Sequence, residues 1–546
     1  MLTVLALIIA GQTPAGFDLA VTVDDLPFVG PTKRIEGPTQ AELRIVEALK
    51  KHQVPATGFV VCSRITPDAT LDPWLRAQVP LSNHSTAHKS IDELPPREWE
   101  LDVRSCAEKV KSAAHVAPEY FRFPFLMTGA TVERREAALK KLREWSLKPA
   151  PVSIDTSEWA LVVPYVKALD GGDAATAKAI REAYVDHVVR ATRHYRQVAQ
   201  EVAGREVKQV LLLHANALAA DTLDALLETL KLEHARFITL SEALTDPVYA
   251  QPDQWAGKVG LSWLYRVTAR TRERWNWDAA ELTALQLRFA GETFPKEGQP
   301  LGLDQTLFEL EPGLYVLRTE QPLGHNAMVA QMEDGSVLIA GSTFTPQPMA
   351  RLLDWVHARY GPVKVVAVDT HHHWDASAGN EAITKAGGET WAADLTAQLL
   401  KSQEEPMRKG VLEMLKDRPE AQKPFETLHV QAPQHTFPLE KGKTFKFGKE
   451  EAKVIFPGPA HAQDTVAVWL PKRKALFGGC MVVSSERPGN ISDANLTEWP
   501  KAIEKLKKLQ PKWVVPGHGD RYDPALLDNT LTAVKAVTGS SAPTSR

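Results

Sequence analysis

Two clusters of side chains in this sequence could hold metal ions. Near the start, Asp24-Asp25 follows the β-rich run AVTV at 20–23. Adjacent carboxylates at the C-terminal end of a parallel strand lie where α/β folds place their active sites. They repel each other, which suits one as metal ligand and the other as base. Further on, His84 and His88 stand four residues apart in NHSTAH. On a helical turn that spacing points both rings the same way and suits chelation of one divalent ion. Together with Asp25 they would form a His₂Asp set with positions open for water and substrate, a catalytic arrangement rather than a closed structural one. Each part taken alone also has a plain reading: unrelated surface histidines, or a turn or helix cap for the Asp pair.

The second cluster lies between 371 and 518. In VVAVDTHHHWD (365–375) a strand runs into His371, His373 and Asp375, and spacing by twos lets a loop turn several donors toward one point. A chance run of three histidines is the plain alternative for that segment. His461 precedes another strand, Cys480 ends one after Gly478-Gly479, and His518 follows one after Pro516-Gly517. His371, His373 and His461 would make a tetrahedral site with one open position; Asp375, Cys480 and His518 would make a second. Thiolate and imidazole together favour Zn²⁺ over Mg²⁺ or Ca²⁺, so two zinc ions are expected here. A lone buried cysteine is usually an inert small apolar residue, but Cys480 lies between two histidine-bearing loops. His372 is read as exposed or as a neighbour of the donors, and His187, His194, His325 and His357 as ordinary surface or core residues.

The elements that must position these groups change character in mid-chain. Up to about 245, short strands (20–23, 57–61, 120–125, 209–214) alternate with helices (41–52, 175–204), which argues for a parallel α/β core, open or closed. Residues 251–300 read as a linker or helical appendage, with a helix around 278–289. From 301 the order becomes hairpins first (314–319, 327–332, 336–341), then a helix at 346–361 and a strand at 363–370. The expected division is therefore a leader at 1–16, a first domain at 17–250, the linker, a second domain at 301–538 and a flexible tail at 539–546. The leader is read from the apolar run at 2–10, which has the length of a signal-peptide core but lacks a basic start, so a buried first strand is the alternative. That run is too short to span a bilayer. The 546 residues carry a net charge of -3, which gives no electrostatic reason for a nucleic-acid partner. Three cysteines cannot build a disulfide framework.

Motif order adds more. TVDDLP, HSTAH, Arg122-Phe-Pro-Phe, Asp155-Thr-Ser-Glu-Trp159 and LLLHA with His214 occur in the order of the polysaccharide deacetylase (NodB homology) family, which the first half resembles. The resemblance implies a distorted (β/α) barrel that removes acetyl groups from N-acetyl sugars with one Zn²⁺ or similar divalent ion. It implies Asp24 as base, Asp25, His84 and His88 as ligands, His214 as acid, Arg122 positioning the base, and Asp155 orienting His214. Leu26-Pro27 replaces the family's usual Gly, and Phe stands near Arg122 where Pro or Tyr is frequent; both put the substrate in question more than the metal. The second half resembles the metallo-β-lactamases of class B, subclass 1, in HxHxD, the His461 loop, GGC, GHG and GNISDANLTEWPKA (489–502). That implies an αββα sandwich, the two ligand triads above with Asp375 also serving catalysis, and Asn490 beside the substrate carbonyl. Related hydrolases such as glyoxalase II bridge their metals with Asp and lack the Cys. The subclass's Lys three residues after the Cys is Val483 here, and Arg487 is the nearest cation.

The expectation is thus a secreted or periplasmic two-domain α/β hydrolase acting on a β-lactam or related small molecule and on an N-acetylated glycan. Another cyclic amide, lactone or ester is the alternative for the second half. A third reading makes one half a cell-wall glycan binding module; retention of all the expected ligands in both halves argues against it. Oligomeric state is not legible.

Overall fold

The computed structural model describes residues 16–32, 37–268, 271–302 and 304–538. Residues 1–15 of the expected leader (1–16) and the tail at 539–546 lie outside the described residues. The chain forms two compact units, Met1–Asp278 with Phe289–Gly291, and Ala279–Arg288 with Glu292–Arg546.

The first unit is built on a parallel curled sheet. Its strands are β1 (Phe17–Leu26), β2 (Thr57–Val60), β3 (Leu81–Asn83), β4 (Tyr120–Phe121), β5 (Lys148–Pro149), β6 (Gln209–His214) and β7 (Ala235–Ile238). The order is β5-β4-β3-β2-β1-β6, with β7 also pairing β1. All pairings are parallel, which requires long crossovers, and helices at Pro38–Lys51, Pro96–Ala114 and Ala174–Ala203 supply them. β6 is buried along nearly its whole length and reads as a continuous apolar run, although it ends the sheet. This is the curled sheet of the (β/α) deacetylase barrel. The strand expected at 120–125 stops at Phe121, because Pro124 removes a donor and Phe125 turns to φ 56°. Residues expected as linker are packed here: Ser262 and Leu264 are buried, and the Trp263 N–H donates to the Val152 carbonyl.

Cysteine count excluded a framework but not a single bridge, and Cys62 is joined to Cys106 across 44 residues. It ties the turn after β2 to the helix Pro96–Ala114. In the chain-entropy view, closing a loop of that length is worth about 4 kcal/mol.

One buried acid gives this unit a pH dependence. Glu42 lies on the helix Pro38–Lys51, fully buried, with neither carboxylate oxygen hydrogen-bonded. Burial pushes its carboxyl up to about 8, against the opposing pull of the Trp74 indole. An unfolded chain ionises Glu at the ordinary value of 4.5. Between these two values the unfolded state sheds its proton while the folded state keeps it, so stability falls as pH rises. Glu42→Gln is expected to remove the Glu42 share of this slope, adding ~2–4 kcal/mol at pH 8.5 and little at pH 4.5. Equal gains at both pH values in denaturant titrations would contradict the assignment.

The second unit is a sandwich. Strands β8 (Gln299–Gly302), β9 (Gln305–Glu311), β10 (Leu314–Thr319), β11 (His325–Gln331), β12 (Val337–Ala340), β13 (Val365–Val368), β14 (Glu389–Ala393) and β15 (His435–Phe437) form one sheet in sequential order. Strands β16 (Lys443–Phe447), β17 (Glu450–Ile455), β18 (Ala467–Leu470), β19 (Ala475–Gly479) and β20 (Trp513–Pro516) form the other. Leu314, Val316, Met328 and Val366 of the first sheet meet Val454, Val468, Phe477 and Val515 of the second in one buried cluster. Helices Trp499–Lys507 and Leu526–Thr538 cover the outer face of the second sheet through Trp499, Ile503, Leu526 and Val534. This is the αββα metallo-β-lactamase sandwich. Among the described residues, no helix is long and apolar enough to cross a membrane.

Candidate metal centres

The first centre stands at the C-terminal end of β1. Register places Asp24 directly beside His214 of β6. Asp24 is buried and accepts from Arg122 Nη1 at 3.2 and 3.3 Å, while Arg122 Nη2 donates to Thr22 Oγ1 at 3.3 Å. Burial raises the Asp24 carboxyl to about 6, with Arg122 and His214 holding it from going higher. Asp25 turns at φ 71° and aims the other way, its Oδ1 lying 3.6 Å from His84 Nε2 and 3.2 Å from His88 Nε2. Burial pushes Asp25 up as well, but His214, His84, Arg64 and His88 outweigh it and hold the carboxyl below the usual range.

His84 and His88 do not sit on a helical turn, contrary to the simplest use of their spacing. They lie on an irregular loop after β3, with Ser85 at φ 71° and His88 at φ 52°. Local hydrogen bonds shape it: the Ser85 N–H donates to Asn83 Oδ1, the His88 N–H to Ser85 Oγ, and the Ala87 N–H to Asp102 Oδ1. The result still brings both rings to Asp25.

The donor set suits a cation. His84 Nδ1–H donates to the Arg122 carbonyl at 2.8 Å, which leaves the Nε2 lone pair facing Asp25. Burial depresses both imidazoles, His84 well below its ordinary value, so they are neutral. Asp25 Oδ1 is buried without a hydrogen bond. Lone pairs converging without protons repel unless a positive charge lies among them. Arg64 Nη1 ion-pairs with this same Asp25 Oδ1 at 2.5 Å, so the guanidinium already brings one positive charge to the oxygen.

Asp155 makes no hydrogen bond to His214 among the described residues. Its Oδ1 accepts the Ser157 N–H in a local turn, and the partner of His214 Nδ1 is Glu158 Oε1 at 3.1 Å. Glu158 also takes the His214 backbone N–H at 3.0 Å and is almost fully buried. Burial would lower the His214 pKa, but the Glu158 charge and hydrogen bond, then Asp25 and Asp24, raise it to about 10. Glu158 stands in the same DTSEW segment that supplied Asp155, so the motif held the signal and the choice between two acids three residues apart needed the backbone path.

The second centre gathers its donors at strand ends of both sheets. His371, His373 and Asp375 follow β13; Cys480 ends β19, and His518 follows β20. Donor atoms of His371, His373 and His461 all lie within 4.8 Å of one another. So do those of His371, Asp375 and Cys480, which puts His371 between the two triads. Asp375 Oδ2 lies 3.1 Å from Cys480 Sγ and 3.2 Å from His518 Nε2. His371 is fully buried with neither ring nitrogen hydrogen-bonded, the condition of an imidazole waiting for a cation. Burial and the neighbouring His373 drive its pKa well down.

Neighbours fix the rings. His518 Nδ1–H donates to the Gly324 carbonyl at 2.6 Å, and His373 Nε2 faces Asp493 Oδ2 at 3.0 Å. His372 is buried rather than exposed, turned to Asp464 Oδ1 at 2.9 Å, and Asp464 takes Thr396 Oγ1 at 2.8 Å. His372, His373 and Asp493 also come within ligating distance of one another, but Asp464 already claims a ring nitrogen of His372. Asp464 and Asp493 were not anticipated as supports; Asp493 lies inside GNISDANLTEWPKA and Asp464 three residues after His461. Burial pushes the Cys480 thiol well up, with Asp375 adding to it, so a thiolate there needs a cation. Gly517 permits this packing, since a Cβ there would stand 2.5 Å from Cys480 Sγ.

A cavity of about 580 Å³ opens over the second centre, lined by His373, Asp375, His461, Cys480, Val483, Asn490 and His518 among others. Asn490 lies exposed at its rim, with Oδ1 accepting from Ser492. Arg487 is exposed and does not line it, and no Lys or Arg is among its described lining residues.

Comparison with known proteins divides the chain in the same way. Residues 11–143 match the family model for polysaccharide deacetylase, and residues 321–518 match that for the metallo-beta-lactamase superfamily. A metallo-beta-lactamase type 2 from Elizabethkingia meningoseptica is 26% identical over 234 residues, 41% of this chain and 83% of the relative. One from Bacillus sp. (strain 170) is 30% identical over 214 residues, 38% of this chain and 72% of the relative. The solved metallo-beta-lactamase from Pontibacter korlensis is 27% identical, with a TM-score of 0.35 and coverage of 42% of this chain and 99% of that one.

Proposed function

The chain belongs to the metallo-beta-lactamase superfamily and carries a polysaccharide deacetylase domain ahead of that fold, and from this we propose a dizinc β-lactam hydrolase joined to a metal-dependent N-acetyl-sugar deacetylase. The observation that carries the first part is a buried three-histidine group beside Asp375, whose Oδ2 reaches both Cys480 and His518, around one cavity. His371, His373 and His461 would hold one zinc, and Asp375, Cys480 and His518 the other. Zinc supplies a hydroxide nucleophilic at neutral pH and positive charge for the oxygen and nitrogen of the opening amide. The protein's own groups do the rest. Asn490 offers its side-chain amide to the substrate carbonyl from the rim. Asp493 and the Gly324 carbonyl set the ring orientations of His373 and His518.

In the first unit, Asp25, His84 and His88 would hold one divalent ion. Asp24 removes the proton of the attacking water, with Arg122 fixing its carboxylate. His214, protonated at neutral pH beside Glu158, gives its proton to the departing amine. The Cys62–Cys106 bridge supports a periplasmic or secreted location, where such bridges persist.

That no Lys or Arg is among the described lining residues of the cavity favours a second reading for the metallo-β-lactamase unit, hydrolysis of another cyclic amide, lactone or ester. Zinc-loaded full-length protein assayed on a chromogenic cephalosporin decides between them. Hydrolysis abolished by chelator supports the first reading; no β-lactam turned over with zinc bound supports the second. Under the first reading, Val483→Lys is expected to lower KM by about 10- to 150-fold, the worth of one charge-assisted contact to the substrate carboxylate. An unchanged KM would place the carboxylate elsewhere.

A further inference from the structure

One wall of the cavity comes from a segment that no ligand motif explains. Helices Asp394–Ser402, Glu404–Met414 and Pro419–Glu426 lie between β14 and β15, and the middle one sends Met407, Gly410, Val411 and Met414 to the cavity. The wall is fastened to the ligand loop itself. Trp374, between His373 and Asp375, stacks on Phe425 with centroids 6.1 Å apart and shares a buried cluster with Phe344, Val411 and Leu415. Arg408 beside Met407 spends its charge inward: it sits over the Trp374 ring, donates to the Phe425 carbonyl at 2.9 Å and pairs with Glu405.

Facing the metal donors is therefore an apolar surface of two methionines, a valine and two aromatic rings. Methionine is flexible and polarizable, and its sulfur packs well against aromatic groups. Such a surface gives no hydrogen bonds to a polar substituent and gains most from a large apolar one. Gly410 stands exposed between the two methionines on the helix, and a Cβ there would meet nothing within 4 Å. A glycine inside a helix costs stability relative to alanine, and here it leaves its position between Met407 and Met414 without a side chain.

We propose that this helical wall is the acyl-group subsite of the enzyme, and that its preferred substrates carry a bulky aryl or alkyl substituent beside the scissile amide. The inference rests on the hydrolase reading above and specifies its substrate class. The full-length zinc-loaded protein is assayed on benzylpenicillin, which bears a phenylacetyl group, and on 6-aminopenicillanic acid, which bears none. Burial of the phenyl group is expected to favour benzylpenicillin in kcat/KM by about 10- to 100-fold. Gly410→Phe places a ring between the two methionines without loss of helix propensity and should cut that ratio at least tenfold. A ratio near one in the wild type, or one unmoved by Gly410→Phe and by Met407→Glu, overturns the proposal. If neither compound is hydrolysed, the hydrolase reading fails on its own account, and the wall is tested by calorimetry with N-phenylacetylglycine against N-acetylglycine. Tighter binding of the phenylacetyl compound, lost in Gly410→Phe, upholds the subsite; equal binding removes it.

Discussion

Asp24→Asn is expected to lower the deacetylase kcat by ~10²–10⁴-fold while the metal stays bound. Asp24 and Asp25 are neighbours in sequence but opposites in setting. Asp24 faces Arg122 and His214 and has burial to lift its carboxyl to about 6, low enough to be ionised at pH 7.5 and high enough to take a proton. Asp25 faces two neutral imidazoles and stays below the usual range. Replacing Asp24 by the isosteric amide removes the base and leaves the three donors in place. Asp25→Asn instead withdraws the only anionic ligand and should weaken metal binding. Glu158→Gln should behave like a mild His214→Ala: with its anionic partner gone, His214 loses the main support for its raised pKa, and the alkaline limb of the pH profile should move down. Metal content beside activity on N-acetylglucosamine oligomers reads all four variants. Loss of metal from Asp24→Asn with retention in Asp25→Asn would reverse the two roles.

Cys480→Ser is expected to cost the chain one zinc ion and leave the others. A serine hydroxyl does not ionise near neutral pH, so the position ceases to be a ligand, whereas a thiol ionises readily once zinc is beside it. Supporting groups around metal sites are worth about 10- to 100-fold in affinity, and a lost thiolate should exceed that. His371, His373 and His461 lie outside the change and should keep their ion. Counting zinc in the Asp25→Asn background isolates the second unit, where two ions per chain should become one. An unchanged count would remove Cys480 from the ligand set.

How much of this the sequence discloses depends on element length. β6 and β10 are legible to the residue, because each is six buried or nearly buried residues between clear breaks. β3, β4 and β5 are two or three residues long, too short for any periodic pattern, yet β3 delivers His84 and β4 delivers Arg122. The donors themselves are legible because metal chemistry allows few residue types. Their backbone is not: the loop with Ser85 and His88 at positive φ has the spacing of a helix and none of its geometry. The helical wall over the second cavity passed unnoticed for a related reason. Pro406, Gly410 and Pro424 interrupt its apolar spacing, and its value lies in what it faces, which no single helix records.

The Cys62–Cys106 bridge has a consequence for how the first centre is made. Cys62 and Ser63 N–H groups hold the carbonyls of Ser85 and Thr86 from one side, and Asp102, one helical turn before Cys106, holds the Thr86 and Ala87 N–H groups from the other. The histidine loop is thus slung between two segments that the bridge ties together. Once the sulfurs are joined the loop is held from both sides, and an ion arriving afterwards bears less of the cost of ordering it. Protein matured in a reducing cytoplasm and protein matured in an oxidising compartment share one sequence but differ as chelators.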